Sequence, residues 1–179
     1  MKRKNKKWLI CFSVSLILLL AGCGLSPGET GGSGDMSTPH TDIASISDLQ
    51  DTGHFRHGAL AHIFEGEINR RGDAVGFHYD GLPTKKGRVI SGTKSKPNRY
   101  GVYEAKVEVN GVKKKSNRGK STLYPEDWDA QQVVDAINEA YEAKTFVSGN
   151  TYEGLSREGM RIRMYLDNND KIISAFPIY

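Results

Sequence analysis

The sequence predicts an α+β fold in which short N-terminal helices precede a mostly antiparallel sheet with one long helix. Three patterns support this prediction. Apolar and polar residues alternate over residues 103–109, and Asn110-Gly111 directly afterwards favours a tight hairpin turn. Apolar residues recur at helical spacing within residues 125–144. The alternation returns over residues 160–166, before a second turn and a final strand.

The first 22 residues have the composition of an export signal. Residues 1–7 carry five basic side chains and no acidic one. Residues 8–20 are almost entirely apolar, but this run is too short to span a bilayer comfortably. The box Leu20-Ala21-Gly22-Cys23 follows and resembles the site at which lipoprotein signal peptidase cuts. We therefore expect a lipidated Cys23 at the extracytoplasmic face of the bacterial cell membrane, with an uncleaved anchor as the alternative.

Cleavage at that site would change both the cysteine content and the charge of the chain. Cys11 would leave with the signal and Cys23 would carry the lipid, so the mature chain would have neither a disulfide nor a catalytic thiol. Five of the 25 Lys and Arg residues would also be lost, leaving 20 against 21 Asp and Glu. The formal charge of +4 for the whole chain therefore reflects the signal segment.

Residues 23–41 are predicted to be a flexible tether. They are rich in Gly, Ser, Thr and Pro and contain few large apolar residues, so they cannot bury enough surface to offset their backbone entropy. We expect the folded domain over residues 42–179, beginning with a short helix or strand at residues 42–50.

The elements of the domain follow from its apolar spacing. Residues 55–68 fit a short helix that carries His62 and ends near Gly66. The long helix within 125–144 has Asp127 or Asp129 as its expected N-cap. We expect a Gly-containing loop after it, then the strand at 160–166. A turn at Asn168-Asn169-Asp170 leads into a last strand at 171–176.

Basic residues are concentrated in one segment. Residues 85–120 contain twelve Lys and Arg against only Glu104 and Glu108, a net charge of +10. Such a concentration can present a local field to a polyanion. A solvated lysine-rich hairpin explains the same composition equally well.

Two of the five histidines, His62 and His78, bracket a short segment and suggest acid–base chemistry. An imidazole has an unperturbed pKa near 6.5, so one ring can be neutral while the other is charged. RNA cleavage needs such a pair: a base takes the proton of the ribose 2′-hydroxyl, and an acid protonates the departing 5′-oxygen. A lysine can hold the charge that grows on the phosphoryl oxygens. A zinc site is disfavoured because no third ligand follows at suitable spacing. Taken alone, the pair also fits two ordinary polar residues.

The domain contains four characteristic segments, in the order "AHIFEGEINRRGDAVGFHYDG", "GVYEAKVEV", "GKSTLYPEDW" and "DKIISAFPIY". Together they resemble the bacterial EndoU nuclease domain, and the resemblance covers roughly residues 57–179. This family includes eukaryotic poly-U-specific endoribonucleases and nidoviral uridylate-specific endoribonucleases. The resemblance implies a metal-independent endoribonuclease without a cofactor, which cuts RNA at uridines by 2′-hydroxyl attack and leaves 2′,3′-cyclic phosphate. Bacterial members are commonly toxin tips.

The resemblance also assigns catalytic residues. His62 and His78 match the two family histidines, although it does not say which is the acid and which is the base. The family lysine lies after the second histidine and just before the long helix, where Lys120 stands in "GKST". Lys106 is the second choice for that lysine.

On the last strand, the family pattern is a Ser or Thr, one residue, and an aromatic before proline. This implies that Ser174 bonds the uracil edge and that Phe176 stacks on the base. Many relatives have Tyr where Phe176 stands, so the resemblance implies stacking by Phe176 but no hydrogen bond from a hydroxyl at this position. Ordinary strand packing is the alternative role of both residues. Within the basic segment, Lys113, Lys114 and Lys115 are expected to bind RNA phosphates.

Two other classes of function compete with a nuclease. One is a surface lipoprotein that has kept the fold but binds RNA or a partner without cutting. The other is an unrelated lipid-anchored protein whose basic hairpin holds an anionic wall polymer, which would not explain the other three segments. A toxin role would imply an immunity protein as partner, alongside the RNA substrate and the membrane, and nothing in the sequence identifies one.

Overall fold

Two antiparallel sheets and one long helix form the folded part of the chain, which confirms the predicted α+β class. The structure, a computed structural model, describes residues 43–179. The predicted signal peptide, Cys23 and the tether lie outside the described residues. The helices are α1 (Ala59–Phe64) and α2 (Ala130–Glu142), with 3-10 turns at Ile46–Asp48, Thr52–His54 and Ser116–Gly119.

Residues 43–179 contain ten strands, eight in the two sheets and two in a separate hairpin. One sheet has the order β10-β9-β8-β7, and all of its pairs are antiparallel. In the other sheet, β3, β5 and β6 all pair with β4, and β1 and β2 form a separate hairpin. The strands are β1 (Glu67–Ile68), β2 (Ala74–Val75), β3 (Gly87–Val89), β4 (Tyr103–Val109), β5 (Val112–Lys113), β6 (Lys120–Leu123), β7 (Thr145–Ser148), β8 (Thr151–Leu155), β9 (Arg161–Leu166) and β10 (Ile172–Pro177).

The buried side chains form two clusters, one for each sheet. The larger cluster joins α1 and the apolar face of α2 to β9 and β10, for example Ile63, Val134 and Ile162. The smaller cluster covers one face of β4 and includes Phe77 and Val107. Burying this apolar surface is the main force that holds the elements together.

The strongest sequence patterns correspond to observed elements. The alternating segment is strand β4, and Asn110-Gly111 turns it into β5 with positive φ at both residues. Helix α2 begins at a capping box: the Asp129 side chain accepts from the backbone N–H of Gln132, whose side chain in turn accepts from the backbone N–H of Asp129. Of the two expected N-caps, Asp127 and Asp129, it is Asp129 that caps the helix, which begins five residues after Pro125. Between residues 43 and 179, no helix is long and apolar enough to cross a membrane.

Two predicted elements were wrong in part. The helix expected over 55–68 is only Ala59–Phe64, because the chain turns at Gly66 and the next two residues pair as strand β1. The loop expected after α2 contains the β7–β8 hairpin, which pairs with β9 and extends the sheet. A Cβ at Gly154 in β8 would lie 1.9 Å from the Ala140 carbonyl oxygen of α2, so glycine allows the helix to approach the strand.

Candidate active site

An open cleft of about 690 Å³ collects most of the predicted site residues. Its walls come from α1, the segment after β2, the segment after β5, and strands β6, β9 and β10. The predicted residues that line it are His62, His78, Lys114, Lys120, Ser174 and Phe176. Lys106 and Lys113 are exposed and lie outside this lining, and so does Lys115, which pairs with Asp73 at 3.2 Å.

His62 lies on α1, as predicted, and is held by a carboxylate. Its Nδ1 lies 3.0 Å from Oε1 of Glu67, which stands at the start of β1. A carboxylate can only accept, so Nδ1 carries the proton and Nε2 is left for other contacts. Nothing in the sequence pattern marked Glu67.

The backbone holds His78 close to His62. The N–H of Phe77 donates to the His62 carbonyl at 2.9 Å, and the N–H of His78 donates to the Ile63 carbonyl at 2.7 Å. Gly76 makes this approach feasible: it has φ +74°, and a Cβ there would lie 2.1 Å from the His62 carbonyl oxygen. Two histidines 16 positions apart therefore share one wall of the cleft.

The His78 ring is buried, and its tautomer is fixed. Nδ1 donates to the Thr122 carbonyl at 2.8 Å, so the neutral ring has Nε2 as a proton acceptor. Burial, together with the charges of Lys114 and His62, lowers the pKa of His78 to about 3, against the opposing effect of the Thr122 bond. The Phe176 ring stacks on this imidazole, with centroids 5.0 Å apart and an interplanar angle of 18°.

Two lysines reach the cleft from different directions. Lys120, at the start of β6, donates to Oε2 of Glu104 at 2.8 Å and remains 41% exposed. Lys114, just after β5, donates to Ser121 Oγ at 2.8 Å and to the Gly76 carbonyl at 3.3 Å. Burial lowers the pKa of Lys114 to about 8, so its ammonium is still charged at neutral pH.

Strands β9 and β10 line another side of the cleft. Ser174 is buried and pairs with Tyr165, while Phe176 pairs with Arg163. The rings of Phe176 and Tyr165 have centroids 5.9 Å apart. Arg163 and Tyr165 also line the cleft, and sequence reasoning missed both. Alternation in β9 puts them on one face, but only the register with β10 brings that face to the cleft.

Among the described residues, no group of three or more His, Cys, Asp or Glu side chains could hold a metal ion.

Ion pairs with carboxylates neutralise part of the basic segment 85–120. Carboxylates pair with five of the twelve cations of the segment, namely Lys86, Arg88, Lys94, Lys115 and Lys120.

Comparison with known proteins gives a family for this architecture. A family model described as bacterial EndoU nuclease matches residues 56–179. A curated protein of Bacillus cereus named "Toxin" is 52% identical over 151 residues, which is 82% of this chain and 28% of that protein. The chain thus spans less than a third of the length of this relative. No solved structure matches the chain.

Proposed function

Because this chain belongs to the bacterial EndoU nuclease family, we propose that it is a toxin nuclease that cleaves RNA at uridines without a metal ion. The reaction forms a bond between the ribose 2′-oxygen and phosphorus and breaks the bond to the 5′-oxygen, leaving a 2′,3′-cyclic phosphate. The observation that carries this proposal is the meeting of two histidines with contrasting surroundings in one cleft with two lysines.

His78 is the general base of this proposal. Its Nδ1 proton is committed to the Thr122 carbonyl, so Nε2 has the free lone pair that takes the 2′-hydroxyl proton. A pKa of about 3 makes a weak base in the empty cleft. The negative phosphate of bound RNA favours the protonated ring and strengthens the base when substrate is present.

His62 is the general acid. The Glu67 carboxylate accepts the Nδ1 proton and orients the ring so that a proton on Nε2 can be given to the departing 5′-oxygen. The proton taken by His78 and the proton given by His62 balance the reaction, and the histidines exchange these roles if water later opens the cyclic phosphate.

Lys120 is proposed to hold the charge that grows on the phosphoryl oxygens. It lines the cleft, whereas Lys106, opposite it on β4, does not. A preorganised charge at the reacting phosphate is worth about 3 kcal/mol, or about a hundredfold in rate. We therefore expect Lys120→Ala to lower kcat about a hundredfold and Lys106→Ala to change it little. A larger loss in Lys106→Ala would move this role to Lys106.

Ser174 and Phe176 are proposed to bind the base. Ser174 offers a donor and an acceptor to the uracil edge from strand β10. Phe176 offers a ring to stack on, although part of that ring is already packed on His78.

Export and lipidation remain a proposal for the N-terminal segment. The signal-like residues 1–22 and the box before Cys23 support a lipid-anchored protein whose tether presents the nuclease outside the cell. Detergent-phase partitioning that is lost in Cys23→Ser would support it, and equal partitioning of both chains would contradict it. A producing cell would need an immunity protein against such a toxin.

The decisive test is cleavage of a short RNA with a single uridine in the presence of EDTA. We expect a product that ends in 2′,3′-cyclic phosphate, and we expect His62→Ala and His78→Ala to abolish it. His57→Ala is the matched control, because His57 is an exposed histidine of the same cleft. Cleavage that requires an added divalent ion would contradict the metal-free mechanism.

A further inference from the structure

Three consecutive lysines follow the β4–β5 turn, and the middle one differs from its neighbours. Lys113 is exposed on β5, and Lys115 is exposed with its ammonium beside Asp73. Lys114 turns inward to the cleft, where it is half-buried and bonded to protein atoms on two other segments. Its role therefore differs from surface binding of a nucleic acid backbone.

The Lys114 ammonium forms a small hydrogen-bonded network with Ser121 and Gly76, here called the junction. It donates to Ser121 Oγ at 2.8 Å and to the Gly76 carbonyl at 3.3 Å. Ser121 Oγ donates to the same Gly76 carbonyl at 3.1 Å and is itself buried. The junction thus ties the segment after β2 to strand β6 at a point two residues before His78.

That segment needs such support because its backbone is strained. Gly76 and Phe77 both have positive φ, at +74° and +58°. For a large residue such as Phe77 this conformation is unfavourable and persists only where surrounding contacts impose it. This conformation buries Phe77 in the smaller core cluster while the next residue, His78, lines the cleft.

We propose that Lys114 is a positioning residue of the nuclease site: its ammonium fixes the Gly76–His78 segment against β6 and keeps a positive charge beside the His78 ring. The held segment presents Nε2 of His78 to the cleft as the acceptor of the 2′-hydroxyl proton, and the charge adds to the effect of burial on the ring. This inference rests on the proposed role of His78 as the general base. It removes Lys114 from the group of phosphate-binding lysines, while Lys113 and Lys115 stay in it.

The charges around the cleft are consistent with this role. After burial, the Lys114 charge is the largest influence that lowers the pKa of His78. Glu67 is the one carboxylate among the described residues lining the cleft, and it is bonded to His62. The basic side chains that share the lining with Lys114 are Arg56, His57, His62, His78, Lys120 and Arg163.

Two substitutions separate the charge of Lys114 from its hydrogen bonds. Lys114→Gln keeps an N–H₂ group that can donate to Gly76 and Ser121 but removes the charge, whereas Lys114→Met removes both. Lys113→Met is the matched control, because it deletes an exposed lysine of the same tract. The measurement is NMR of the full-length chain with labelled histidines, in which the His78 signal is identified by its loss in His78→Gln.

We expect the pKa of His78 to rise by about one unit in Lys114→Gln and Lys114→Met, and to stay unchanged in Lys113→Met. Amide exchange of Phe77 and His78 should quicken in Lys114→Met only. The acidic limb of the kcat/KM profile should move to higher pH in both Lys114 variants. A folded Lys114→Gln chain in which His78 titrates as in the wild type would overturn the proposal. The NMR titration does not depend on catalysis. A wild-type chain that cleaved no RNA would contradict the proposed nuclease activity, and the effect of Lys114 on His78 would still be measured.

Discussion

Gly76 is the residue at which the two histidines are brought together, and it has no room for a side chain. A Cβ would lie 2.1 Å from the His62 carbonyl oxygen, and φ is +74°. We expect Gly76→Ala to destabilise the fold by more than the roughly 1–2 kcal/mol that positive φ alone costs, and to abolish cleavage. Gly72→Ala is the matched control, since φ is +78° there and no atom lies within 4 Å of an added Cβ. Equal losses of unfolding free energy in urea would show that the close contact is relieved without cost.

Ser174 and Phe176 are expected to contribute differently to base recognition. A hydroxyl can read the uracil edge, whereas a phenyl ring stacks on any base at about 1–3 kcal/mol. Ser174→Ala should narrow the difference in kcat/KM between RNAs that differ only in one U or C. Phe176→Ala should slow both alike, partly because His78 loses its stacking partner. Phe176→Tyr restores the hydroxyl of many relatives and should sharpen the preference. Full discrimination in Ser174→Ala would remove Ser174 from the base pocket.

The sequence predicted some residues of the site and missed others. Resemblance to the family pointed to His62, His78 and Ser174, and the structure places all three at one cleft. Glu67 was missed because its contact with His62 depends on the turn at Gly66, which ends the predicted helix early. The inward turn of Lys114 was missed because alternation in a two-residue strand gives no reliable facing direction.

At the scale of elements, the β4–β5 hairpin is the unit that presents lysines to solvent. Lys113 is exposed, and Lys115 is exposed but paired with Asp73. Each phosphate contact in single-stranded RNA contributes about 0.7 to the slope of log affinity against log salt. Replacing Lys113 and Lys115 by Ala should therefore reduce that slope by about 0.7 to 1.4 and weaken binding of all sequences alike.

The measurement uses RNA with a 2′-deoxyribose at the uridine, so that no cleavage occurs. Lys144→Ala, at the end of α2, is the control for a lysine outside the basic segment, and it should leave the slope unchanged. An unchanged slope in the double variant would assign the hairpin lysines to solubility. The ion pairs that divide the segment already limit how many cations are free to meet RNA.

The same scale explains which elements the sequence predicted well. Strand β4 and helix α2 are long enough for their apolar period to be read, and each is bounded by a clear signal: the Asn110-Gly111 turn and the Asp129 cap. The β7–β8 hairpin was missed because its first strand is exposed throughout and its second contains Gly154. A glycine weakens the apolar alternation by which a strand is predicted. Its role here is to let α2 approach β8, which is a tertiary contact.

At the scale of the whole molecule, the cleft is built from segments that are far apart in the sequence. The wall that carries Ser174 and Phe176 comes from the last strand, whereas the histidines lie near the start of the domain. A backbone bond from Arg56 to Ile172, at 2.9 Å, joins these two ends of the fold next to the cleft. Contacts of this separation have no local pattern, so resemblance to a family was the only sequence signal for them.

Placing a neutral histidine in this interior should make the stability of the whole fold depend on pH. The pKa of His78 is about 3 in the folded chain, against 6.5 for an unperturbed imidazole. Between pH 6.5 and pH 3 the unfolded chain binds a proton at this histidine that the folded chain does not. The contribution of this histidine to the stability of the fold is therefore fully present above pH 6.5 and decreases as the pH falls towards 3. Between pH 7 and pH 5 the loss should be about 2 kcal/mol.

Urea unfolding at several pH values tests this expectation. His78→Gln keeps an N–H donor for the Thr122 carbonyl but cannot titrate, so its unfolding free energy should fall by about 2 kcal/mol less than that of the wild type between pH 7 and pH 5. His57→Gln removes an exposed histidine of the same cleft and should follow the wild type. If His78→Gln and the wild type lost stability in parallel, the His78 ring would take up its proton at the same pH in the folded and unfolded chains, and burial would not be lowering its pKa.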